Sequence, residues 1–268
     1  MNRMSHETSI SSIHNADHAV SHALKTHNLT KQFETVRAVH NLSIHFETGK
    51  ITGVIGPNGS GKSTLVNLLT GLVPYTSGEI VVVGKVGLKR VNSNDITVYG
   101  ITRTFQEVRL FEQMTVLDNI LVVTTCRGWF KGIFEKHGAY HLAIAEKVLH
   151  RVGIWKFRDK LAVNLSYGQR KLLEIARVLA MKEIGSAQIV FFDEPYAGLF
   201  PEMVKLVSEI MKELRSEGTT VVLIEHNMDL IRELSDRVIV MDSGELLAEG
   251  PVSEVLSRKD VVEAYLGE

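Results

Sequence analysis

An excess of charge of either sign is missing from this chain. Its 30 Lys and Arg face 31 Asp and Glu, for a net charge of −1. Bulk charge therefore gives no pull toward nucleic acid or anionic lipid. Cysteine is nearly absent: Cys126 stands alone, so no internal disulfide can form, which suits a reducing compartment. No apolar run approaches the roughly 18 residues that span a bilayer. Residues 1–24 have neither a basic start nor an apolar centre, so they do not read as a secretory signal. No internal repeat occurs. What remains is 268 residues with a 44% apolar share, enough for one large domain or a core with a subdomain. A soluble, cytoplasmic protein is expected.

The first 24 residues are rich in Ser, His and Asn and hold too little apolar surface to fold alone. His14, His18 and His22 recur every fourth residue and would share one face of a helix, yet a solvated, disordered tail is the expectation. The domain is placed at 25–268. Leu42, Ile44 and Phe46 alternate with Ser43 and His45, predicting one half-buried strand. Thr48-Gly49-Lys50 is a turn into the strand Ile51–Ile55, and Ile80–Val83 reads as another strand. Residues 84–100 read as loop or edge strand. Helical periodicity holds from about Val116 to Asn164, with Thr115 and Asp118 as a cap and a second helix from Ala139 to Val152. This stretch, about 107–164, is expected to be a helical insertion, with Gly128, Gly132 and Gly138 linking its helices. Ile189–Phe192 reads as a buried parallel strand and Thr219–Ile224 as a further strand, separated by a helix over Glu202–Ser216. A further helix ends at Leu234. Val238–Met241 and Leu246–Ala248 flank the hairpin turn Asp242-Ser243-Gly244. Alternating strands and helices imply an α/β fold.

One stretch organises the rest: Gly56-Pro57-Asn58-Gly59-Ser60-Gly61-Lys62-Ser63-Thr64. It fits the loop whose backbone N–H groups wrap a polyphosphate, and it sits between an expected strand and helix. A helix start aims unpaired N–H groups and a positive dipole end at an anion. Lys62 would reach the β- and γ-phosphates, and the Ser63 hydroxyl would take a Mg²⁺ position. The second signal is the apolar run Ile189-Val190-Phe191-Phe192 followed by Asp193-Glu194-Pro195. Both acids should emerge at the C-terminal edge of the sheet, where ligands bind. Asp193 suits the Mg²⁺ shell, and Glu194 is placed to polarise an attacking water.

Leu165-Ser166-Tyr167-Gly168-Gln169 resembles the signature motif of ABC-transporter ATPases. Gln106, in Arg103-Thr104-Phe105-Gln106, resembles the family's Q-loop residue, which bridges metal and water. His226, in Ile224-Glu225-His226-Asn227, resembles the switch histidine, and Phe33 the aromatic that stacks on adenine. The resemblance runs from about Leu24 to Glu268. It implies a P-loop NTPase core with an antiparallel β subdomain and a helical insertion. It further implies ATP and Mg²⁺ as ligands, with Ser166, Gly168 and Gln169 meeting ATP held by a facing subunit. Gln106 and His226 join Glu194 as the catalytic set.

Gly100–Gln106, Val108–Phe111, Met114–Ile120, His226–Leu230 and Val262–Gly267 are similar to the ATP-binding subunit of branched-chain amino-acid importers. That resemblance implies a second ATPase subunit, identical or not, integral membrane permease subunits and an external solute-binding protein. The expected place is the cytoplasmic face of the cell membrane, and no nucleic-acid partner is expected. Urea import and lipopolysaccharide export are neighbouring alternatives, and a slow regulatory ATP-binding module is another. Long coiled-coil insertions or tandem cassettes, as in DNA-repair and translation relatives, are lacking. One departure stands out. Phe200 occupies a position where the family usually has Asp or Asn, a residue that helps join the two nucleotide sites.

Overall fold

The computed structural model describes residues 21–82, 96–125 and 138–266. Its strands are β1 (His22–Phe33), β2 (Val36–Leu42), β3 (His45–Glu47), β4 (Ile51–Ile55), β5 (Ser77–Val82), β6 (Ile101–Arg103), β7 (Ile189–Asp193), β8 (Thr220–Ile224), β9 (Arg237–Asp242) and β10 (Glu245–Pro251). The helices are α1 (Lys62–Leu69), α2 (Val116–Thr125), α3 (Ala139–Arg151), α4 (Tyr167–Glu183), α5 (Pro201–Ser216), α6 (Met228–Leu234), α7 (Val252–Val255) and α8 (Lys259–Leu266). Cys126, Gly128, Gly132, His14 and His18 lie outside the described residues, as does most of the 84–100 segment.

The main sheet has the order β10-β9-β4-β8-β7-β6. All pairs are parallel except the β9–β10 hairpin, whose turn holds Ser243 at φ 48° and Gly244 at φ 83°. Two successive left-handed residues suit the twist of a tight hairpin. Because side chains alternate across a strand, the continuous apolar run of β7 feeds two cores at once. Val190 and Phe192 join one core with the helices α2 to α5, while Ile189 and Phe191 join another. That second core holds α1, through Leu65, Leu68 and Leu69, together with the antiparallel sheet of β1, β2, β3 and β5. Phe46 and Phe191 meet edge to face, with ring centroids 6.3 Å apart. Each such buried ring contributes roughly 1.5–3 kcal/mol.

Three expectations shift. The strand through Leu42, Ile44 and Phe46 keeps its predicted alternation of burial but breaks between β2 and β3. Thr26 is the cause. Its hydroxyl donates to the Leu42 carbonyl at 2.9 Å and accepts from the Ile44 N–H at 3.1 Å, taking the place of ladder bonds. Second, β1 takes in His22, Ala23 and Leu24, which composition had assigned to the tail. Leu24 is fully buried, and His22 pairs with Glu47 across the ladder. Third, β5 begins at Ser77 and not near Ile80, because β1 offers Thr30 as its partner there.

Among the described residues of the helical stretch, α2 and α3 lie where periodicity placed helices. The Thr115 hydroxyl accepts from the Asp118 N–H at 3.0 Å, a local cap for α2. Val116, Ile120, Ala145, Val148 and Leu149 then bury against Leu172, Leu173 and Ala176 of α4. These two helices therefore rest on α4.

Candidate nucleotide site

The buried strand β4 delivers the chain into the loop 56–61, and α1 leaves it. Two glycines are required by the space around them. A Cβ on Gly56 would lie 2.1 Å from the Met241 carbonyl oxygen, and one on Gly61, at φ 97°, would lie 2.3 Å from that of Ala38. Lys62 folds its buried ammonium back over the loop, donating to the carbonyls of Gly56 at 2.6 Å and Pro57 at 2.9 Å. The buried Ser60 hydroxyl has no hydrogen-bond partner among the described residues. Asn58, Gly59 and Ser63 are exposed, and Thr64 is half-buried. No acidic residue occupies the first turn of α1, so its positive end is left for an outside anion.

At the end of β7 the two acids part company. Asp193 is buried, 4% exposed, and its Oδ2 accepts from Arg103 Nη2 at 2.8 Å. Arg103 also donates to Asn67 at 2.8 Å and Thr70 at 3.0 Å, both at the far end of α1. Burial pushes the Asp193 carboxyl above its ordinary value, and the Arg103 guanidinium pulls it back. Glu194 is half-buried and adopts φ 46°, a left-handed conformation that is strained for a side-chain-bearing residue. Its N–H donates to the Ile224 carbonyl at 3.0 Å, and its carbonyl accepts from Lys171 Nζ at 2.6 Å. The carboxylate thus lies between two expected partners. Gln106 Nε2 donates to Oε2 at 3.3 Å, and His226 Nε2 meets Oε1 at 3.1 Å.

Ser166 caps α4 by accepting from the Gln169 N–H at 3.3 Å, and the Gln169 side-chain oxygen accepts from the Ser166 N–H at 3.0 Å. Gln169 was expected to face a nucleotide; in this chain its oxygen closes a capping box. Gly168 packs tightly, since a Cβ there would sit 2.8 Å from Met203 Sδ. Phe33 closes β1 with 44% exposure and carries the Lys31 ammonium 4.6 Å from its ring centroid. It is a surface platform and not a core residue.

Sequence reasoning missed four charged residues around this site, three of them buried and Arg103 half-buried. Lys171 and Glu174 lie among Leu172, Leu173, Ala176 and Leu179, all buried on α4. Charges inside a helical apolar stripe were the available signal. Glu174 accepts from the Phe105 N–H at 3.1 Å, and burial raises its pKa to about 7. Burial lowers that of Lys171. Arg103 had been quoted only as a neighbour of Gln106. Glu225 accepts from the backbone N–H groups of Tyr196, His226 and Asn227 at 3.4, 3.0 and 3.4 Å, fixing the turn that carries His226.

Comparison with known proteins bears on the family. The sequence profile of the ABC transporter family matches residues 39–197. The high-affinity branched-chain amino acid transport ATP-binding protein LivG of Salmonella typhimurium is 38% identical over 255 residues, covering 91% of this chain and 98% of the relative. A nucleotide-free ATP-binding cassette from an ABC transporter superposes with a TM-score of 0.79 at 33% identity, covering 92% of this chain and all of that one. A dimeric cassette in a post-hydrolysis state with ADP and Pi superposes at 0.73 with 25% identity, covering 85% and 98%. With its phosphate loop, acidic strand end and capped signature helix in one α/β cassette, the chain belongs to the ABC transporter family, as an ATPase whose hydrolysis is coupled to transport.

Proposed function

We propose that this cassette powers an importer of branched-chain or other hydrophobic amino acids, a solute class supported by the likeness to LivG. The nucleotide is ATP. Lys62, the loop 56–64 and the start of α1 grip its phosphates, and Phe33 stacks on adenine. The donors Ser63, Gln106 and Asp193 fit a hard cation, because all offer oxygen. Asp193 keeps Oδ1 clear of protein donors among the described residues while Arg103 holds Oδ2. Mg²⁺ held there would offset charge on the phosphates.

Glu194 is the general base for the attacking water. The observation that carries this role is its carboxylate, shared between Gln106 and His226 at 3.3 and 3.1 Å. Gln106 and His226 orient it, and His226 also meets developing phosphoryl charge. Ser166, Gly168 and Gln169 face the nucleotide of a second ATPase subunit, an arrangement supported by the dimeric relative. Gln169, with its oxygen engaged in the cap, offers its amide.

No described helix is long and apolar enough to cross a membrane, so transport requires separate permease subunits. The cassette works beneath them on the cytoplasmic face, and an external solute-binding protein supplies the solute. Arg109, Leu110, Phe111 and Met114, the last two 44% and 39% exposed, form the surface that receives a permease helix. Glu194→Gln tests the assignment: ATP hydrolysis should fall roughly 10²–10⁴-fold with ATP binding retained. Turnover at the wild-type rate would remove Glu194 from its role.

A further inference from the structure

Lys171 lies on α4 two residues past Gln169, yet its ammonium points inward. The residue is 2% exposed. Its Nζ donates to the Glu194 main-chain oxygen at 2.6 Å and faces the charges of Glu174, Glu225, Glu194 and Asp193. Burying an amine this deeply is costly unless it is paired and hydrogen-bonded. A helix that needed only packing here would carry Leu or Met. The bond has a specific target. Glu194 holds φ 46°, and a left-handed non-glycine persists only where its surroundings over-determine it. Two cross-element bonds do so, from the Glu194 N–H to Ile224 on β8 and from Lys171 to the Glu194 carbonyl.

We propose that Lys171 is a positioning residue for ATP hydrolysis: its buried ammonium, anchored on the signature helix, holds Glu194 in the left-handed conformation that sets its carboxylate between Gln106 and His226. This rests on Glu194 being the base. Lys171 touches neither nucleotide nor water in this scheme and acts through the Glu194 backbone. It also gives α4 a direct grip on the Glu194 main chain, five residues from the Ser166 cap. A shift of that helix moves the Glu194 carbonyl with it.

The test compares Lys171→Met with Lys171→Arg in the full-length chain, with its partner subunits present for turnover. ATP affinity is measured separately, without hydrolysis. Lys171→Met should lower kcat about 10- to 100-fold, the range expected when a strained catalytic conformer loses its support. ATP affinity should stay within about twofold, and Lys171→Arg should recover most of kcat. In a Glu194→Gln background, Lys171→Met should cost less than about twofold more, because residues acting as one unit are not additive. Three results overturn the proposal: unchanged kcat, loss of affinity in parallel with kcat, or a full further loss in the Glu194→Gln background. If Lys171→Met does not fold, Lys171→Gln fills the same space with a shorter neutral donor. Lower kcat at unchanged affinity then supports the proposal, and unchanged kcat sinks it. Wild-type hydrolysis that survives Glu194→Gln would instead defeat the assignment of Glu194 itself, so the two failures are distinguishable.

Discussion

Glu174→Gln should make the protein more stable at neutral pH and leave it nearly unchanged in acid. Glu174 is 5% exposed, and its Oε1 accepts from the Phe105 N–H at 3.1 Å. Burial raises its pKa from 4.5 to about 7, although the N–H groups of Phe105 and Arg109 and the charges of Arg177 and Lys171 oppose the rise. The folded state therefore holds this proton more tightly than the unfolded chain does. Its contribution to stability is fully present below pH 4.5 and is lost as pH rises through about 7. At about 1.4 kcal/mol per pH unit, the gap amounts to about 3 kcal/mol. Glutamine keeps an oxygen for the Phe105 N–H and cannot ionise. Urea unfolding of both proteins between about pH 5 and about pH 8 measures the difference. The variant's advantage should grow by about 2.5 kcal/mol across that window. A pH-independent difference would show that the buried carboxyl does not titrate as its surroundings require.

Two further substitutions probe the frame that holds the site. Thr26→Val removes the hydroxyl that pairs with Leu42 and Ile44 and should cost about 1–3 kcal/mol in denaturant unfolding, because both backbone groups stay buried. Gly61→Ala drives a Cβ to 2.3 Å from the Ala38 carbonyl at φ 97°. It should abolish ATP binding and lower the thermal midpoint by several degrees, since strain of about 1–3 kcal/mol is added where the loop meets β2.

Much of this arrangement was legible in residue order, and the reasons differ by element. The phosphate loop, the apolar run of β7 and the Asp242-Ser243-Gly244 hairpin each obey a short-range rule, so a local window suffices. Gln106, Glu194 and His226 come from three distant segments, and the family resemblance brought them together before the structure did. The gaps are of another kind. Thr26 breaks a ladder from sixteen residues away, and no period within Leu42–Phe46 records it. Arg103 bridges Asp193 to the end of α1, a link visible only once three elements are stacked. Lys171 and Glu174 sit in an apolar stripe whose spacing explains their burial but not their partners. His22 to Leu24 followed the tail's composition but joined the sheet, because β3 and β5 offered paired edges. Pairing overrode local polarity.

In the proposed function, a triphosphate is held by the loop over which Lys62 folds. Equilibrium binding of ATP to the wild-type chain and to Lys62→Ala, with magnesium present, tests it most directly. Saturable binding by the wild type and its loss in the variant are predicted. Equal affinity in both proteins, or no binding by either, would show that this loop does not hold the nucleotide.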